Sequence, residues 1–500
     1  MPHLLTFTTG SFYKSDSYKK RIKRQGFFAL KLVLFFSLLH FVNAAKAQDQ
    51  SIDTTFISSP RPDYLSTLRV RHIVVSGNKK TKKYIILREM SVKEGDSIWV
   101  SNLNATLLKS RDLIYNTTLF IDVTVLPLFI DANEVDIIVD VKERWYIFPI
   151  PYLELADRSF NEWVDKYNAS FNRLSYGVMF SHFNISGRKD QLSLILVNGF
   201  KRNISFEYSA PYTNPALTDG VKFGAGYIQT REIPFASDAN NNLLYYKSDH
   251  FVKNEWYVRG SYSSRKRLKK KETFTITFRH LNVDDSVVSH YNPYYFNSTS
   301  SSQDFFDFEY KLEFRDVDNV LYPLKGYAAA ILLKKRGLEL IGGMNQFSIK
   351  PSYGRYFSHR HNWYTSVRLS GELKLPFDQS YYNLKALGYE EDYLRGDEYF
   401  VIDGVAFGLA KFDLKKKILH FDLPTVIRSN TYNKIPFTFY AKAFADVGYV
   451  YGQPQYDSRL ANKFLYSGGM GIDILTLYDF KLRIEYSLNQ LNQKGLFLHR

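Results

Sequence analysis

The sequence predicts a membrane all-β fold, an antiparallel transmembrane β-barrel of about sixteen strands preceded by one small α+β module. Three observations support this prediction. Phe, Trp and Tyr make up 17% of the 500 residues, which is high for a soluble domain. Beyond the first fifty residues, no apolar run approaches the roughly eighteen residues that a spanning helix needs. Long stretches instead alternate apolar and polar side chains with a period of two, as membrane strands do.

The alternation is strongest in residues 145–500, which we assign to the barrel. In residues 306–315 every even position is apolar and every odd position is charged, and residues 363–375 and 481–488 follow the same pattern. Strands with charge on one face only fit an apolar exterior in lipid and a polar lumen. A closed barrel satisfies their backbones without leaving an edge. A soluble β-rich protein, the alternative that composition leaves open, would put its apolar face inward.

The N-terminus predicts export. Basic residues at Lys19–Arg24 precede an apolar stretch at Phe27–Val42, and Ala45-Lys46-Ala47 supplies an A-x-A cleavage site. We therefore predict a signal peptide over residues 1–47 and a polar linker over residues 48–67. A retained membrane anchor is the alternative. The absence of cysteine excludes disulfides, thiolate metal sites and lipoprotein attachment.

The formal net charge of +16 arises partly from the signal segment. A further basic cluster, Arg265–Lys271, lies between two strand patterns. Because an exported protein seldom meets nucleic acid, we predict no nucleic-acid partner. We interpret the cluster as a solvated turn that can contact anionic lipid headgroups.

Residues 68–144 form the small module. Their pattern predicts strand, helix, helix, strand and strand, over Val70–Ser76, Thr81–Met90, Ser101–Ile114, Ile121–Leu128 and Glu134–Glu143. Ser101 is a candidate N-cap of the second helix. This order resembles a POTRA domain, and the resemblance extends to Gly77-Asn78, Glu94-Gly95-Asp96, Leu119-Phe120-Ile121-Asp122-Val123 and Val141-Lys142-Glu143. A generic α+β module is the alternative.

Two acids and one arginine near the end of the chain form the candidate site. Successive side chains of a strand point to opposite faces, and this alternation (the strand parity) directs Asp446 into the lumen. The alternation on the preceding strand directs Asp413 into the lumen as well. Arg395 precedes both strands in a long outer loop. Because a guanidinium stays charged and has fixed donors, it could bind both carboxylates if its loop folded back. The alternative is that the acids are ordinary lumen charges paired with Lys411 and Lys442.

The motifs around these residues resemble those of the Omp85 superfamily of outer-membrane assembly and translocation proteins. Leu394-Arg395-Gly396 resembles its loop-six motif, Phe444-Ala445-Asp446-Val447-Gly448 resembles its F-x-D-x-G strand motif, and Asp413 occupies its acidic strand position. Two further stretches resemble family signatures at inner turns. The first is Tyr212-Thr213-Asn214-Pro215, and the second consists of Arg315-Asp316, Asn319, Tyr322-Pro323 and Gly326. Asp397 stands where the family usually has an aromatic residue.

The resemblance implies a bacterial outer-membrane protein, with its POTRA domain in the periplasm, that inserts or translocates other polypeptides without ATP. The implied partners are the lipid bilayer, unfolded or nascent outer-membrane and secreted polypeptides, and accessory lipoproteins. Clients would add a strand to the POTRA sheet, and the first and last barrel strands would part. Pro149 and Pro151 lack a ladder donor in the first strand, and the final strand at Gly495–Arg500 is short, so we predict a weak seam.

Three other functions remain open at the level of sequence. The nearest is a secretion pore for one dedicated partner, and a second is a passive porin or surface receptor. Enzymatic activity is the least favoured, because no G-x-S-x-G elbow occurs and the eleven His residues show no metal-binding spacing. We expect no cofactor, no metal and no catalytic residue.

Overall fold

The computed structural model describes residues 66–155, 171–338, 343–389, 391–425, 434–453 and 458–499. The predicted signal peptide, residues 1–47, and most of the predicted linker, residues 48–67, lie outside this part of the chain. No helix in the described part is long and apolar enough to cross a membrane.

The N-terminal module is a four-stranded sheet with two helices. Its elements are β1 (Thr67–Ser76), α1 (Lys83–Glu89), β2 (Ser97–Trp99), α2 (Val100–Tyr115), β3 (Phe120–Phe129) and β4 (Glu134–Glu143). The sheet order is β2-β1-β4-β3, with β1 parallel to β4 and the other neighbours antiparallel. Both helices bury apolar side chains against the sheet, including Ile85, Ile86, Leu103 and Leu107.

Two details of this module differ from the sequence prediction. The short strand β2 was not anticipated, since three residues are too few to show a period. The prediction of Ser101 as an N-cap is wrong, because the chain passes directly from β2 into α2 and the cap position is Trp99. Ser101 therefore lies inside the first turn of the helix.

The rest of the described chain forms one sixteen-stranded antiparallel sheet, in which each strand pairs with the next barrel strand in sequence. Its strands are β5 (Ile147–Leu155), β6 (Leu174–Phe183), β7 (Gln191–Gly199), β8 (Lys201–Ala210), β9 (Asp219–Thr230), β12 (Lys253–Arg267), β13 (Lys270–Val283), β14 (Ser302–Val317), β15 (Gly326–Arg336), β16 (Gln346–Ser358), β17 (Trp363–Leu375), β20 (Ala406–Pro424), β21 (Lys434–Tyr451), β22 (Phe464–Thr476), β23 (Phe480–Asn489) and β24 (Lys494–His499).

The remaining elements lie in the connections between barrel strands. Two small hairpins are formed by β10 (Glu232–Ser237) with β11 (Leu243–Lys247), and by β18 (Lys385–Leu387) with β19 (Ile402–Asp403). Short helical turns occur at Phe171–Arg173, Val287–Tyr291, Arg360–Asn362, Tyr381–Asn383 and Leu477–Asp479.

The two faces of the sheet differ in polarity, as the alternation predicted. Apolar side chains cover the outside, where Leu496 is 70% exposed and Phe412 is 42% exposed. Acidic side chains lie inside, where Asp307 and Glu485 are completely buried. An apolar exterior around a polar interior is the pattern of a transmembrane barrel, and the predicted fold class is confirmed.

Contacts with the module identify the inner end of the barrel. The Nη atoms of Arg265, at the end of β12, contact both carboxylate oxygens of Glu89 in α1. Arg88 Nη2 donates to the carbonyl of Arg265 at 2.6 Å. The interpretation of the basic cluster as a solvated turn is therefore wrong for Arg265, because it neutralises a buried carboxylate of the module. Loops at the opposite end, including the one that carries Arg395, are outer loops.

The sheet curls so that its two ends approach each other at the inner rim. The ring of Phe148 on β5 packs edge-on against Tyr478, with centroids 5.8 Å apart, and Tyr478 lies in the turn before β23. In the part of the chain that the structure describes, however, the sheet begins at β5 and ends at β24, and these two strands are not hydrogen-bonded to each other. This gap is the seam of the barrel.

Candidate functional site

The long connection between β17 and β20, described over residues 376–389 and 391–405, folds back into the barrel around Arg395; we call this connection loop six. Its Leu394 is 1% exposed and packs in an apolar cluster with Leu387, Phe407 and Leu465. This cluster fixes the position of the neighbouring Arg395, which is 2% exposed and therefore lies inside the protein.

Arg395 is held by the two carboxylates that parity directed inward. Its backbone N–H and its Nε donate to Asp446 Oδ2 at 3.0 and 2.9 Å, and its Nη2 donates to Asp446 Oδ1. Its Nη1 donates to Asp413 Oδ1. The guanidinium also lies over the Phe444 ring, 4.0 Å from the centroid. A planar cation between two acids and an aromatic face has one stable orientation.

The two lysines that offered an alternative pairing have other partners. Lys411 Nζ lies over the ring of Tyr393, 4.1 Å from the centroid. Lys442 contacts Asp473 and Glu485. Asp446 is fully buried, and Arg395 provides its hydrogen bonds. The structure therefore pairs the acids with the arginine.

Glycines allow loop six to approach the strands closely. Gly396 has φ +99°, and a Cβ there would lie 3.1 Å from Ser487 Cβ on β23. Gly448 on β21 faces the loop, where a Cβ would lie 3.0 Å from Leu394 Cδ1. Side chains at either position would push the loop away from the wall.

Asp397, the departure from the family motif, fastens loop six to the last hairpin. Its carboxylate accepts from Asn489 Nδ2 at 2.8 Å and from Gln490 Nε2 at 3.1 Å. Asn489 also donates to the carbonyl of Gly396. Burial raises the pKa of Asp397 to about 6, although the two amides stabilise its charged form. A polar contact thus stands where the family usually has an aromatic residue.

The second inner-turn motif reaches the same lumen from the opposite end. The hydroxyl of Tyr322 donates to Asp473 Oδ2 at 2.7 Å, and Asn319 Oδ1 accepts from the backbone of Tyr322. Gly326 has φ +108°, and a Cβ there would lie 2.0 Å from the carbonyl oxygen of Asp316. Asp316 itself pairs with Lys269.

A small cavity of about 70 Å³ separates this turn from Arg395. Pro323 and Tyr322 line it on the inner side, together with basic and acidic residues of the wall. Arg315 lies apart from the cavity, because its side chain is 54% exposed and pairs with Glu313. The motif therefore divides between the lumen and the inner rim.

Sequence reasoning missed Arg368, Asp473 and Glu485 and considered Lys442 only as a partner of Asp413 and Asp446. Lys442 Nζ lies 2.6 Å from Asp473 Oδ1 and also contacts Glu485, so it links the inner turn to the loop-six region. Arg368 Nη2 donates to Asp413 Oδ2 at 2.9 Å. Parity on β17, β22 and β23 could have directed these side chains inward, but it could not have paired them across strands.

The residues predicted to weaken the seam lie on the first barrel strand. Pro149 and Pro151 are register partners of Phe180 and Val178 on β6. At the other edge, β24 covers β23 only between Arg483 and Leu488. An edge strand that contains prolines and a six-residue final strand offer few donors for a closing ladder.

Known proteins resemble the chain in sequence and in fold. Residues 68–144 match the POTRA family model, described as a surface antigen variable number repeat. A 204-residue stretch is 26% identical to the outer membrane protein assembly factor BamA of Nitratidesulfovibrio vulgaris, covering 40% of this chain and 22% of that protein. The chain thus spans about a fifth of the length of this curated relative.

Solved structures give further likenesses. CdiB from Escherichia coli is similar with a TM-score of 0.50 at 13% identity, over 86% of this chain and 75% of that one. BamA from Haemophilus ducreyi, lacking POTRA domains 1–3, gives 0.44 at 16% identity, over 86% and 83%. At these identities the likeness to CdiB shows the fold alone. The POTRA match and the BamA relative support the resemblance of this chain to the Omp85 superfamily.

Proposed function

We propose that this protein lies in the bacterial outer membrane, with its POTRA domain in the periplasm, and inserts client polypeptides into the membrane without ATP. The observation that carries the proposal is the seam, where β5 and β24 lack hydrogen bonds to each other in the described residues. Unpaired strand edges are templates for strand addition, because each edge presents free backbone donors and acceptors.

The POTRA domain would receive the client first. Strand β3 is an edge of its sheet, and Leu126 and Leu128 on it are 55% and 48% exposed. An extended client segment added to this edge would gain backbone hydrogen bonds without a sequence requirement. The exposed apolar side chains favour clients that alternate in the same way, as outer-membrane strands do.

Arg395 would brace the barrel wall while the seam opens. It binds Asp413 on β20 and Asp446 on β21, and loop six also reaches the last hairpin through Asp397. In the described residues, separating β5 from β24 breaks no ladder between the two strands, whereas separating β20 from β21 would expose a buried ion cluster. Breaking a buried pair costs about 3–5 kcal/mol, so the wall should open at the seam.

Secretion of one dedicated partner through the lumen is the nearest rival. Loop six and Tyr322 both lie inside the barrel, so this route would require the Arg395 cluster to move out of the path. A lateral route leaves the cluster in place. A passive porin or surface receptor is the rival from another class.

Conditional depletion of the protein, followed by quantitative proteomics of the outer membrane, tests the proposal. We expect several unrelated β-barrel proteins to decline together. Loss of a single secreted protein would favour the secretion pore. An unchanged outer-membrane proteome, with steady conductance of the purified protein in planar bilayers, would favour the porin.

A further inference from the structure

A second cluster of ionisable side chains lies where loop six meets the last two strands. Glu398 belongs to loop six, Glu485 to β23 and His499 to β24. Each offers one atom that can bind a cation, and the three atoms lie within 4.8 Å of one another. Glu485 is completely buried, whereas the side chains of Glu398 and His499 are 14% and 16% exposed. The cluster is therefore enclosed but accessible.

The distances around His499 fit a metal ion. Its Nε2 lies 3.1 Å from Glu398 Oε1 and 3.1 Å from Glu485 Oε2. One ring nitrogen carries at most one hydrogen, yet it faces two carboxylate oxygens. Zinc bonds of about 2.0–2.2 Å in a tetrahedral site separate neighbouring ligand atoms by roughly 3.4 Å. Small shifts would convert the present arrangement into such a site.

The other polar atoms of two of these side chains are already oriented. Glu398 Oε2 accepts from the backbone N–H of Gly396 at 2.6 Å, which leaves Oε1 directed at the imidazole. His499 Nδ1 lies 3.4 Å from the hydroxyl of Tyr393, and the two rings are stacked. Metal-binding side chains in proteins are usually fixed by outer partners of this kind.

The third side chain, Glu485, divides its oxygens between two directions. Its Oε1 contacts Lys442 Nζ and lies 3.9 Å from Arg395 Nη1, while its Oε2 faces His499. Lys442 Nζ also lies 2.6 Å from Asp473 Oδ1. The ammonium group of Lys442 therefore stays on the side of the Glu485 carboxylate that faces away from His499.

We propose that Glu398, Glu485 and His499 bind one Zn²⁺ ion, with a water molecule as the fourth ligand. A site of one imidazole and two carboxylates suits zinc, whereas Mg²⁺ and Ca²⁺ favour oxygen ligands alone. The ion would tie loop six to the final strand, beside the seam. This proposal does not depend on the function proposed above.

Titration calorimetry with ZnCl₂ tests the site on the full-length folded protein in detergent, after treatment with a chelator. We expect one equivalent to bind, and we expect His499→Ala and Glu398→Gln each to weaken binding at least tenfold. The matched control is His280→Ala, because His280 Nδ1 faces a single carboxylate, Asp304, at 2.7 Å. This variant should bind zinc like the wild type.

The Glu398→Gln variant keeps the test decisive if His499→Ala fails to fold, because Glu398 lies in a loop and not in the barrel wall. Folding is checked by heat-modified migration on gels. No saturable zinc binding by the wild type would overturn the proposal, as would unchanged affinity in Glu398→Gln. Tight MgCl₂ binding that the same substitution abolishes would overturn the assignment to zinc.

Discussion

At the scale of single residues, the side chain of Arg395 offers a guanidinium that lysine cannot replace. In Arg395→Lys an ammonium ion would keep the charge but lose the paired donors to Asp446 and the contact to Asp413. We expect loop six to lose about 2–3 kcal/mol of local stability, because buried carboxylates lose partners. Hydrogen exchange of residues 391–400 should accelerate by one to two orders of magnitude.

The matched control is Arg259→Lys on β12, where Arg259 contacts the Tyr257 ring and Thr277 Oγ1. Exchange in loop six should be unchanged in this variant. If Arg395→Lys left exchange at the wild-type rate, the idea that the guanidinium holds the loop in place would be wrong.

Gly396 gives a second residue-scale prediction, based on backbone strain. Gly396→Ala forces a side chain into a left-handed conformation and brings it 3.1 Å from Ser487 Cβ. We expect a loss of about 1–2 kcal/mol in the local stability of loop six. Gly408→Ala on the adjacent β20 is the control, because a Cβ there would meet no atom within 4 Å. Equal protease resistance of loop six in both variants would contradict this account.

The sequence predicted the central residues of the site and not their surroundings. The direction of Asp446 and Asp413 follows from strand parity, and the motif directed attention to Arg395. Lys442, Asp473 and Glu485 come from three different strands, and their contacts depend on register and on side-chain length. The sequence gives the side-chain lengths but not the register between strands, so these partners appear only in three dimensions.

At the scale of elements, the docking of α1 on the barrel depends on one buried carboxylate. Burial acts to raise the pKa of Glu89, but the charge and hydrogen bonds of Arg265 outweigh it, and the pKa lies below its usual value of 4.5. A lowered pKa means that docking is stabilised at pH values above about 4.5 and weakens as the pH falls through the folded-state pKa.

Glu89→Gln should therefore weaken docking at neutral pH by about 1–3 kcal/mol, because Arg265 loses its carboxylate. The docking is measured by fluorescence energy transfer between two dyes, one attached to Asp131→Cys in the module and one to Lys325→Cys in an inner turn. Wild-type protein should lose transfer only under acid, whereas the variant should show reduced transfer at pH 7. The energy transfer in Glu89→Gln should also change less with pH than that in the wild type.

The control for this measurement is Asp122→Asn, which removes an exposed pair with Lys142 elsewhere in the module. Exposed pairs contribute little, so transfer should follow the wild-type curve. If the energy transfer in Glu89→Gln also followed the wild-type curve, the docking would depend on other contacts, such as the hydrogen bonds between Asn116 and the turn after β14.

Long elements were predictable because their periods repeat many times. The alternation in residues 306–315 corresponds to β14, and the two helices of the module lie where the spacing placed them. The three-residue β2 and the hairpins in the outer loops were not predicted. These pieces are stabilised by tertiary packing, as in the buried outer cluster that contains Ile233 and Phe296.

At the scale of the whole molecule, the barrel combines a rigid wall with an incomplete closure. Ion pairs inside the lumen bridge β20, β21, β22 and β23 through Arg395 and Lys442. The ladder between the first and last strands is missing in the described residues. Because the chain contains no cysteine, a single introduced pair can lock this seam selectively.

Cross-linking the seam in living cells tests the proposed mechanism most directly. The rings of Phe148 on β5 and Tyr478 in the turn before β23 lie 5.8 Å apart across the seam, and a short bis-maleimide would join Phe148→Cys to Tyr478→Cys. The control joins Tyr486→Cys to Leu496→Cys, which are register partners on adjacent strands that need not part. We predict that client assembly stops only when the seam is joined. Undiminished assembly with the seam joined would contradict lateral opening.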